Sequence, residues 1–305
     1  FAFLKEAVQG GYFEQLIKDY LLDNPFEAII VVKPEKNLTA KEDARVAEKL
    51  AAYKERLTAE EKQALIRQTK ELKEYQDIPS SPEELALIPM LERKDIKKEA
   101  EKLKWEDKIH GIQVLHHDIF TSGIGYLRVL FHTNRIPNED LPYAALLRHV
   151  LSLVDTEHYS YGDLTSEINL NTGGLSLGIT SYVNLKKLPD FTGAFSAEVR
   201  VLYEKLDFGF EILSEILTRS KFSDEKRLGE ILKTTRSRMK MKLENGSHSA
   251  AVARATSYFS PTSAYNDCTG GIRYYQFLDD VIREFEKDPK PLIAKLEEVS
   301  KKLFT

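Results

Sequence analysis

YSYGDLTSEINLNTGGLSLGITSYV, residues 159–183, contains the signals for a helix, a stop and a strand in direct succession. Ser160 followed by Asp163 predicts a helix over 161–169, because a capping hydroxyl and an acidic first turn both favour a helix N-terminus. The two glycines that follow end this helix. The run 175–183, rich in β-branched and aromatic residues, then predicts a strand. The fold must therefore mix helices with strands.

The segments on either side predict an antiparallel sheet. Residues 112–119 and 125–132 flank a turn at 120–123, which is the pattern of a β-hairpin, and residues 194–202 predict another long strand. One helix is predicted over 141–154. Beyond residue 207 the pattern is almost entirely helical, with helices predicted over 208–218, 224–243, 248–258, 272–285 and 291–302. Strands first and helices after them indicate an α+β fold, in which helices back an antiparallel sheet.

The first third of the chain has a different composition. Residues 1–25 predict an amphipathic helix, and the apolar run 26–32 predicts a strand whose sheet partners must come from elsewhere. Residues 41–108 contain 16 Lys and Arg against 17 Asp and Glu with alternating signs, which is typical of solvated helices. The first two of three capping boxes begin a long helical hairpin. The boxes are Thr39 with Glu42, Thr58 with Glu61, and Ser81 with Glu84.

Composition narrows the class of protein. Lys+Arg 44 against Asp+Glu 48 gives a net charge of -4, which argues against a general nucleic-acid binder because such domains carry a basic excess. No apolar run approaches the roughly 18 residues of a membrane-spanning helix. The single cysteine, Cys268, excludes a disulfide scaffold and fits a reducing compartment. We therefore expect neither nucleic acid nor a membrane among the partners.

No catalytic constellation emerges from the histidines or from possible nucleophiles. The zinc-peptidase strings H-E-x-x-H and H-x-x-E-H do not occur. His116 and His117 are adjacent on a predicted strand, so their side chains point to opposite faces, and hairpin geometry places His132 far from His116. Cys268 has no histidine near it in sequence, which disfavours a catalytic thiol. The glycine pair 270–271 is interpreted as the entry turn of a helix rather than as an anion-binding loop.

The segment Ala145-Leu-Leu-Arg148-His149 has the spacing of the inverted zinc motif H-x-x-E-H, but not its residues. Ala145 stands where the motif has its first histidine, and Arg148 stands where it has its glutamate. A guanidinium is neither a zinc ligand nor a base, so a helix that keeps one imidazole could not hold zinc. Taken by itself, this spacing is what chance would produce.

Several motifs that occur along the chain in one fixed order offer an explanation for the spacing at 145–149. Together they resemble the presequence protease or falcilysin-type branch of the insulinase-like (pitrilysin) zinc metallopeptidases. Segments distributed from one end of the chain to the other resemble this family. They are YFEQLIKDYLLDNPFEAIIVV (12–32), LTAEEKQALIRQTKELKEYQ (57–76), SSPEELALIPMLERKDI (80–96), FTSGIGYLRVLFHT (120–133), YSYGDLTSEINLNTGGLS (159–176) and GSHSAAVARATSYFSPTSAYNDCTGGIRYYQFL (246–278).

The resemblance implies a division of the chain. Residues 1–38 would be the tail of a preceding peptidase-like domain, 39–108 a helical hairpin linker of the peptidase-associated region, and 109–305 a third, degenerate insulinase-like domain. In the family, two halves of similar fold close around a peptide, and the zinc lies in the first domain on its H-x-x-E-H helix and a downstream glutamate. The segment 145–149 falls where the degenerate copy would carry that motif. No catalytic or metal-binding residue is therefore expected in this chain.

The resemblance also implies a function. The parent protein would be a zinc metalloendopeptidase that degrades short, unstructured peptides in a closed chamber, and this chain, inactive alone, would supply hinge and chamber wall. Its partners would be such peptides and the parent's own N-terminal catalytic half. The bacterial cytoplasm is the expected location, with an organelle as the alternative.

Two other hypotheses remain open. The parent could be a wholly inactive partner subunit that acts as a peptide-binding or structural module. Alternatively, the chain could be a helical scaffold unrelated to peptidases, which predicts no antiparallel strands backed by helices around residues 109–305.

Overall fold

The structure, a computed structural model, describes residues 2–99, 106–109 and 113–304. It consists of two compact units, Phe1–Glu101 and Lys102–Thr305. The described residues of the first unit form helices and no strand. The α-helices of this unit are α1 (Ala2–Ala7), α2 (Tyr12–Ile17), α3 (Leu38–Arg56), α4 (Ala59–Asp77) and α5 (Pro82–Ala86).

The single helix predicted over 1–25 is interrupted at Gly11; residue 1 lies outside the described residues. Gly11 has a φ of 70°, a left-handed conformation that glycine adopts without the steric cost of a Cβ. A 3-10 turn, Val8–Gly10, precedes it, and a π-helical turn, Lys18–Leu22, follows α2. The prediction of one continuous helix is therefore wrong.

The strand predicted over 26–32 is also wrong. This segment is irregular and pairs with no other part of the described chain. Its apolar side chains are exposed, with Ile29 at 89%. A lone extended segment leaves its backbone N–H and C=O groups to water, so hydrophobic character alone does not make it a strand.

Two of the three predicted capping boxes are confirmed. The hydroxyl of Thr58 accepts a hydrogen bond from the Glu61 N–H at 3.2 Å, and the Glu61 carboxylate accepts one from the Thr58 N–H at 2.8 Å. Ser81 caps α5 in the same way. The box at Thr39 is wrong, because α3 has already begun there, after Asn37 in a left-handed conformation.

The second unit contains a two-stranded and a three-stranded antiparallel sheet in its described residues. In the smaller sheet β1 pairs with β2, and in the larger sheet β5 lies between β3 and β4. The strands are β1 (Glu106–Ile109), β2 (Gln113–His116), β3 (Ile124–His132), β4 (Gly174–Val183) and β5 (Phe191–Leu202).

The predicted hairpin between 112–119 and 125–132 is wrong; residue 112 lies outside the described residues. β3 pairs instead with β5 over its whole length, from Ile124 opposite Leu202 to His132 opposite Ala194. The reason is burial. The residues of β2 are all exposed, whereas β5 offers a continuous buried face that the apolar side of β3 can extend.

Helices pack on one face of the larger sheet. The helix predicted over 141–154 ends at Val150, and Ser152, with a φ of 69°, marks the turn after it. No helix was expected over 261–270, although Ser260 followed by Pro261 is a helix-start signal. The helices are α6 (Leu141–Val150), α7 (Tyr161–Asn171), α8 (Leu206–Thr218), α9 (Glu225–Asn245), α10 (Ser247–Thr256), α11 (Pro261–Gly270), α12 (Ile272–Phe285) and α13 (Lys290–Phe304).

The core of the second unit lies between the sheet and these helices. Phe195 and Val199 of β5 are fully or almost fully buried, as are Leu147 of α6, Ile216 of α8 and Leu296 of α13. An antiparallel sheet backed by helices confirms the predicted α+β class. It also contradicts the hypothesis of a purely helical scaffold.

A buried carboxylate ties α8 to the loop before α7. Glu215 accepts hydrogen bonds from the His158 N–H at 3.0 Å and from Arg219 Nη1 at 3.2 Å, and its Oε2 lies 2.9 Å from His158 Nδ1. Burial by itself would raise the pKa of Glu215, but hydrogen bonds from Thr156, His158 and Arg219 lower it to about 2. The ionised carboxylate is thus part of the folded structure.

Candidate functional site

Helix α6 carries the segment 145–149 into the core of the second unit, where it contacts β4, α9, α11 and α13. The spacing i, i+3, i+4 puts Ala145, Arg148 and His149 on one face of the helix. Ala145 is fully buried, whereas Arg148 and His149 are partly exposed. The structure therefore brings together the three residues that the sequence analysis singled out.

Arg148 is held by two neutral acceptors. Its Nε donates to Nε2 of His149 at 3.0 Å, and its Nη2 donates to the carbonyl of Thr269 at 3.0 Å. The guanidinium carbon lies 5.6 Å from the centre of the Tyr274 ring, on α12. Burial lowers the pKa of Arg148 from its usual value. The side chain is thus a partly desolvated cation.

His149 is neutral at physiological pH. Burial, followed by the charges of Arg148, Arg238 and Lys242, lowers its pKa to about 4. Because Nε2 accepts the hydrogen bond from Arg148, the ring proton must lie on Nδ1. The imidazole also stacks on the ring of Tyr274, with 6.3 Å between centroids.

Zinc does not fit at this position. A ligating imidazole must offer a free lone pair, and the Nε2 of His149 already accepts from a guanidinium, whose charge opposes a second cation. Ala145 offers no ligand atom. Across residues 2–99, 106–109 and 113–304, no group of three or more His, Cys, Asp or Glu could hold a metal ion.

The remaining histidines of the sequence analysis are divided between two sheets. His116 ends β2, in the small sheet, and His117 follows it. His132 ends β3 in the larger sheet, opposite Ala194, so its neighbour is not the strand that the hairpin prediction assumed.

The glycine pair 270–271 is the entry turn of α12. At the N-terminus of α12, the Arg273 N–H donates to Asp267 Oδ1 at 3.3 Å, so a carboxylate of the chain itself lies there. Asp267 Oδ2 accepts from Arg254 Nη1 at 2.7 Å. The helix N-terminus thus has its own counter-charge, which argues against an anion site there. Cys268 lies next to this carboxylate on α11 and is partly exposed.

Three residues of the site were missed from the sequence. Arg238 and Lys242 are four residues apart on α9, so a search for cations at helical spacing would have found the pair. Tyr274 is 1% exposed, and its hydroxyl is enclosed without a hydrogen-bond partner among the described residues. No local pattern indicates that Tyr274 contacts α6, because the two helices lie far apart in sequence.

Comparison with known proteins connects this chain with a peptidase family. Residues 32–281 match the model of the family described as associated with peptidase M16, subfamily C. Protein HypA of Clostridium perfringens is 34% identical over 93% of this chain and 29% of its own length. Presequence protease 1, chloroplastic/mitochondrial, of Arabidopsis thaliana is 28% identical over 98% of this chain and 28% of its own length.

A solved structure, a peptidase M16 inactive domain from Pseudomonas fluorescens, aligns with a TM-score of 0.39 at 13% identity, over 65% of this chain and 51% of that one. The chain spans less than a third of the two relatives above, one from a bacterium and one from plant organelles. No helix in the described part of the chain is long and apolar enough to cross a membrane.

Proposed function

This chain belongs to the family associated with peptidase M16, subfamily C, and from that premise we propose that it is the non-catalytic central part of a zinc metalloendopeptidase. The parent would degrade short, unstructured peptides inside a closed chamber. This chain would form the hinge and part of the chamber wall. The presequence proteases among its relatives support a peptidase parent.

The single observation that carries the non-catalytic role is the chemistry of α6. Where the inverted zinc motif needs two imidazoles and a carboxylate, α6 presents a buried methyl group, a guanidinium and a neutral imidazole whose Nε2 already has a partner. None of these groups can activate a water molecule on a metal. The zinc and the general base of the parent would have to come from residues outside this chain.

We propose the following division of labour along the chain. Residues 1–38 complete the preceding domain, 39–108 form the linker, and 109–305 form the degenerate third domain. The exposed apolar segment 26–32 supports the first assignment, since such a segment needs a partner that the described chain does not provide.

The proposed hinge is the helix pair α3 and α4. No residue of α3 is buried, and its apolar side chains remain open, with Tyr53 at 55% exposure. The ion pairs of α4, Arg67 with Glu71 and Lys70 with Glu74, are local and solvent-exposed, so they cost little to rearrange. Both properties suit a segment whose contacts form and break as a chamber opens.

The hinge can be tested in the full-length parent. Tyr53→Ala together with Leu57→Ala is expected to lower peptide turnover without changing zinc content, because the variant removes apolar side chains that the hinge would use as the chamber opens and closes. Lys54→Ala, on the same helix, is the matched control and should leave turnover unchanged. Equal turnover in all three proteins would show that these helices do not act as a hinge.

The main test compares this chain with the parent. Zinc content and cleavage of a quenched, unstructured peptide are measured for both, with and without chelator. The proposal predicts that the parent binds zinc and cleaves the peptide, and that the chelator stops this cleavage. This chain alone should neither bind zinc nor cleave the peptide. A parent without zinc and without cleavage would instead indicate an inactive partner subunit, and chelator-sensitive cleavage by this chain would refute the non-catalytic role.

A further inference from the structure

Arg148 has more hydrogen-bond donors than the protein uses. A guanidinium carries five N–H groups, and only those to His149 and Thr269 have partners among the described residues. Neither N–H of Nη1 has one. Arg148 is partly exposed, and its Nη1 is not among the fully enclosed, unpartnered side-chain atoms of the described residues. One edge of the guanidinium is therefore open to a ligand.

No carboxylate of the described chain balances this charge. Arg148 forms no salt bridge with any described residue, and its polar neighbours are the Thr269 carbonyl, His149, Tyr265 and Tyr274. The one acidic residue of α11, Asp267, is already bonded to Arg254. A partly desolvated cation without a counter-charge is costly, and arginine is over-represented where a carboxylate or phosphate is recognised by two parallel hydrogen bonds.

Two more cations lie around the same point. Arg238 and Lys242 lie on α9, which contacts α6, and their charges act on His149; neither residue forms an ion pair within the described part of the chain. Both are exposed on α9. His149 itself carries no charge, so the surroundings are positive through Arg148, Arg238 and Lys242 alone. We call these three residues, with His149 and Tyr274, the α6 basic cluster.

We propose that the α6 basic cluster binds the carboxylate of a peptide, so that the position of a lost metal site serves to hold the substrate. This rests on the proposed function, which supplies unstructured peptides as ligands. The open edge of Arg148 matches the planar fork of a carboxylate, and the two exposed cations of α9 attract the anion from solution. The source of the carboxylate is either the peptide C-terminus or an Asp or Glu side chain.

The test measures peptide binding by the full-length parent after its metal has been removed with chelator, so that binding is not confused with cleavage. Fluorescence anisotropy gives the Kd of three versions of one labelled, unstructured peptide that contains one aspartate. The first has a free C-terminus, the second a C-terminal amide, and the third has its aspartate replaced by asparagine. Loss of one charge-assisted hydrogen bond is expected to weaken binding roughly tenfold.

The expected result is that either amidation or the aspartate replacement weakens binding by the native parent, and the version that does so identifies the source. In the Arg148→Gln variant, the peptide version that binds the native parent more weakly should bind no more weakly than the version with both carboxylates. Arg236→Gln is the matched control: it removes one charge from the same helix as Arg238, from a surface pair with Asp279, and should keep the preference.

Equal Kd values for all three peptides, or a preference that survives Arg148→Gln, would overturn the proposal. If Arg148→Gln does not fold, Arg238→Gln with Lys242→Gln, both on the exposed side of α9, should reduce the preference about threefold. Failure of the proposed function is seen separately, because the metal-loaded parent would then cleave no peptide whatever its Kd values.

Discussion

Restoring the inverted zinc motif by substitution should create no zinc site, and the structure indicates how much stability the substitutions would cost. The double variant Ala145→His with Arg148→Glu recreates H-x-x-E-H at 145–149. Ala145 has no exposed surface, so an imidazole there must displace packed core atoms. Overpacking of this kind costs about 1–3 kcal/mol. An enclosed imidazole without a partner adds about 1–3 kcal/mol.

The second substitution adds its own cost. Arg148→Glu removes the charged hydrogen bond to the Thr269 carbonyl, which is worth about 1.5–3 kcal/mol. The three terms together reach about 4–9 kcal/mol, against about 5–15 kcal/mol for the whole stability of a domain. We therefore expect the double variant to be largely unfolded or severely destabilised, and to gain no zinc.

The assay is urea unfolding of the chain followed by circular dichroism, with bound zinc measured after dialysis. Ala251→His is the matched control, because Ala251 is exposed on α10 and its replacement should cost only about 0.5 kcal/mol of helix propensity. A double variant that stays as stable as this control and binds one zinc per chain would refute the reasoning. It would mean that α6 is still a usable ligand helix.

Three further changes test single contacts. Glu215→Gln should lower stability by about 1–2 kcal/mol at neutral pH. The pKa of the carboxyl falls from 4.5 to about 2 on folding, so its contribution is present above pH 4.5 and is lost as the pH falls towards 2. Urea titrations of the variant and the native chain should therefore converge in acid. Gly271→Ala should destabilise the chain by about 1–3 kcal/mol, since its Cβ would collide with the Asp267 carboxylate, whereas Gly162→Ala, with no close neighbour around it, should be neutral or stabilising in the same thermal melt. Tyr274→Phe removes an enclosed hydroxyl that has no partner among the described residues, so its Tm should stay equal or rise, and a clear fall would show that the hydroxyl is bonded.

Some local signals in the sequence predicted local structure, although the box at Thr39 and the continuous helix over 1–25 were wrong. The helix after Ser160 and the helix α12 begin where their caps and glycines indicate, because a cap needs only residues a few positions away. The pairing of β3 with β5 could not be predicted in this way. It depends on which distant segment offers a buried face, and the short β2 is nearer in sequence but exposed.

In the candidate site, too, the sequence predicted the local arrangement but not the contacts between distant segments. Spacing on one helix pointed to Ala145, Arg148 and His149, which share a face of α6. The spacing did not indicate that Arg148 would bond to His149 and to the backbone of α11, nor that Tyr274 would lie against both. The contacts with α11 and α12 join helices that are distant in sequence, so they follow from packing and not from any local pattern.

The most direct test of the central claim is the zinc content of the full-length parent beside its His149→Ala variant. The claim is that this chain holds no part of the metal site, because the Nε2 of His149 is engaged by Arg148. Both proteins should therefore carry the same amount of zinc after dialysis against a weak chelator. A variant that loses its zinc would contradict the account, since His149 would then be a ligand.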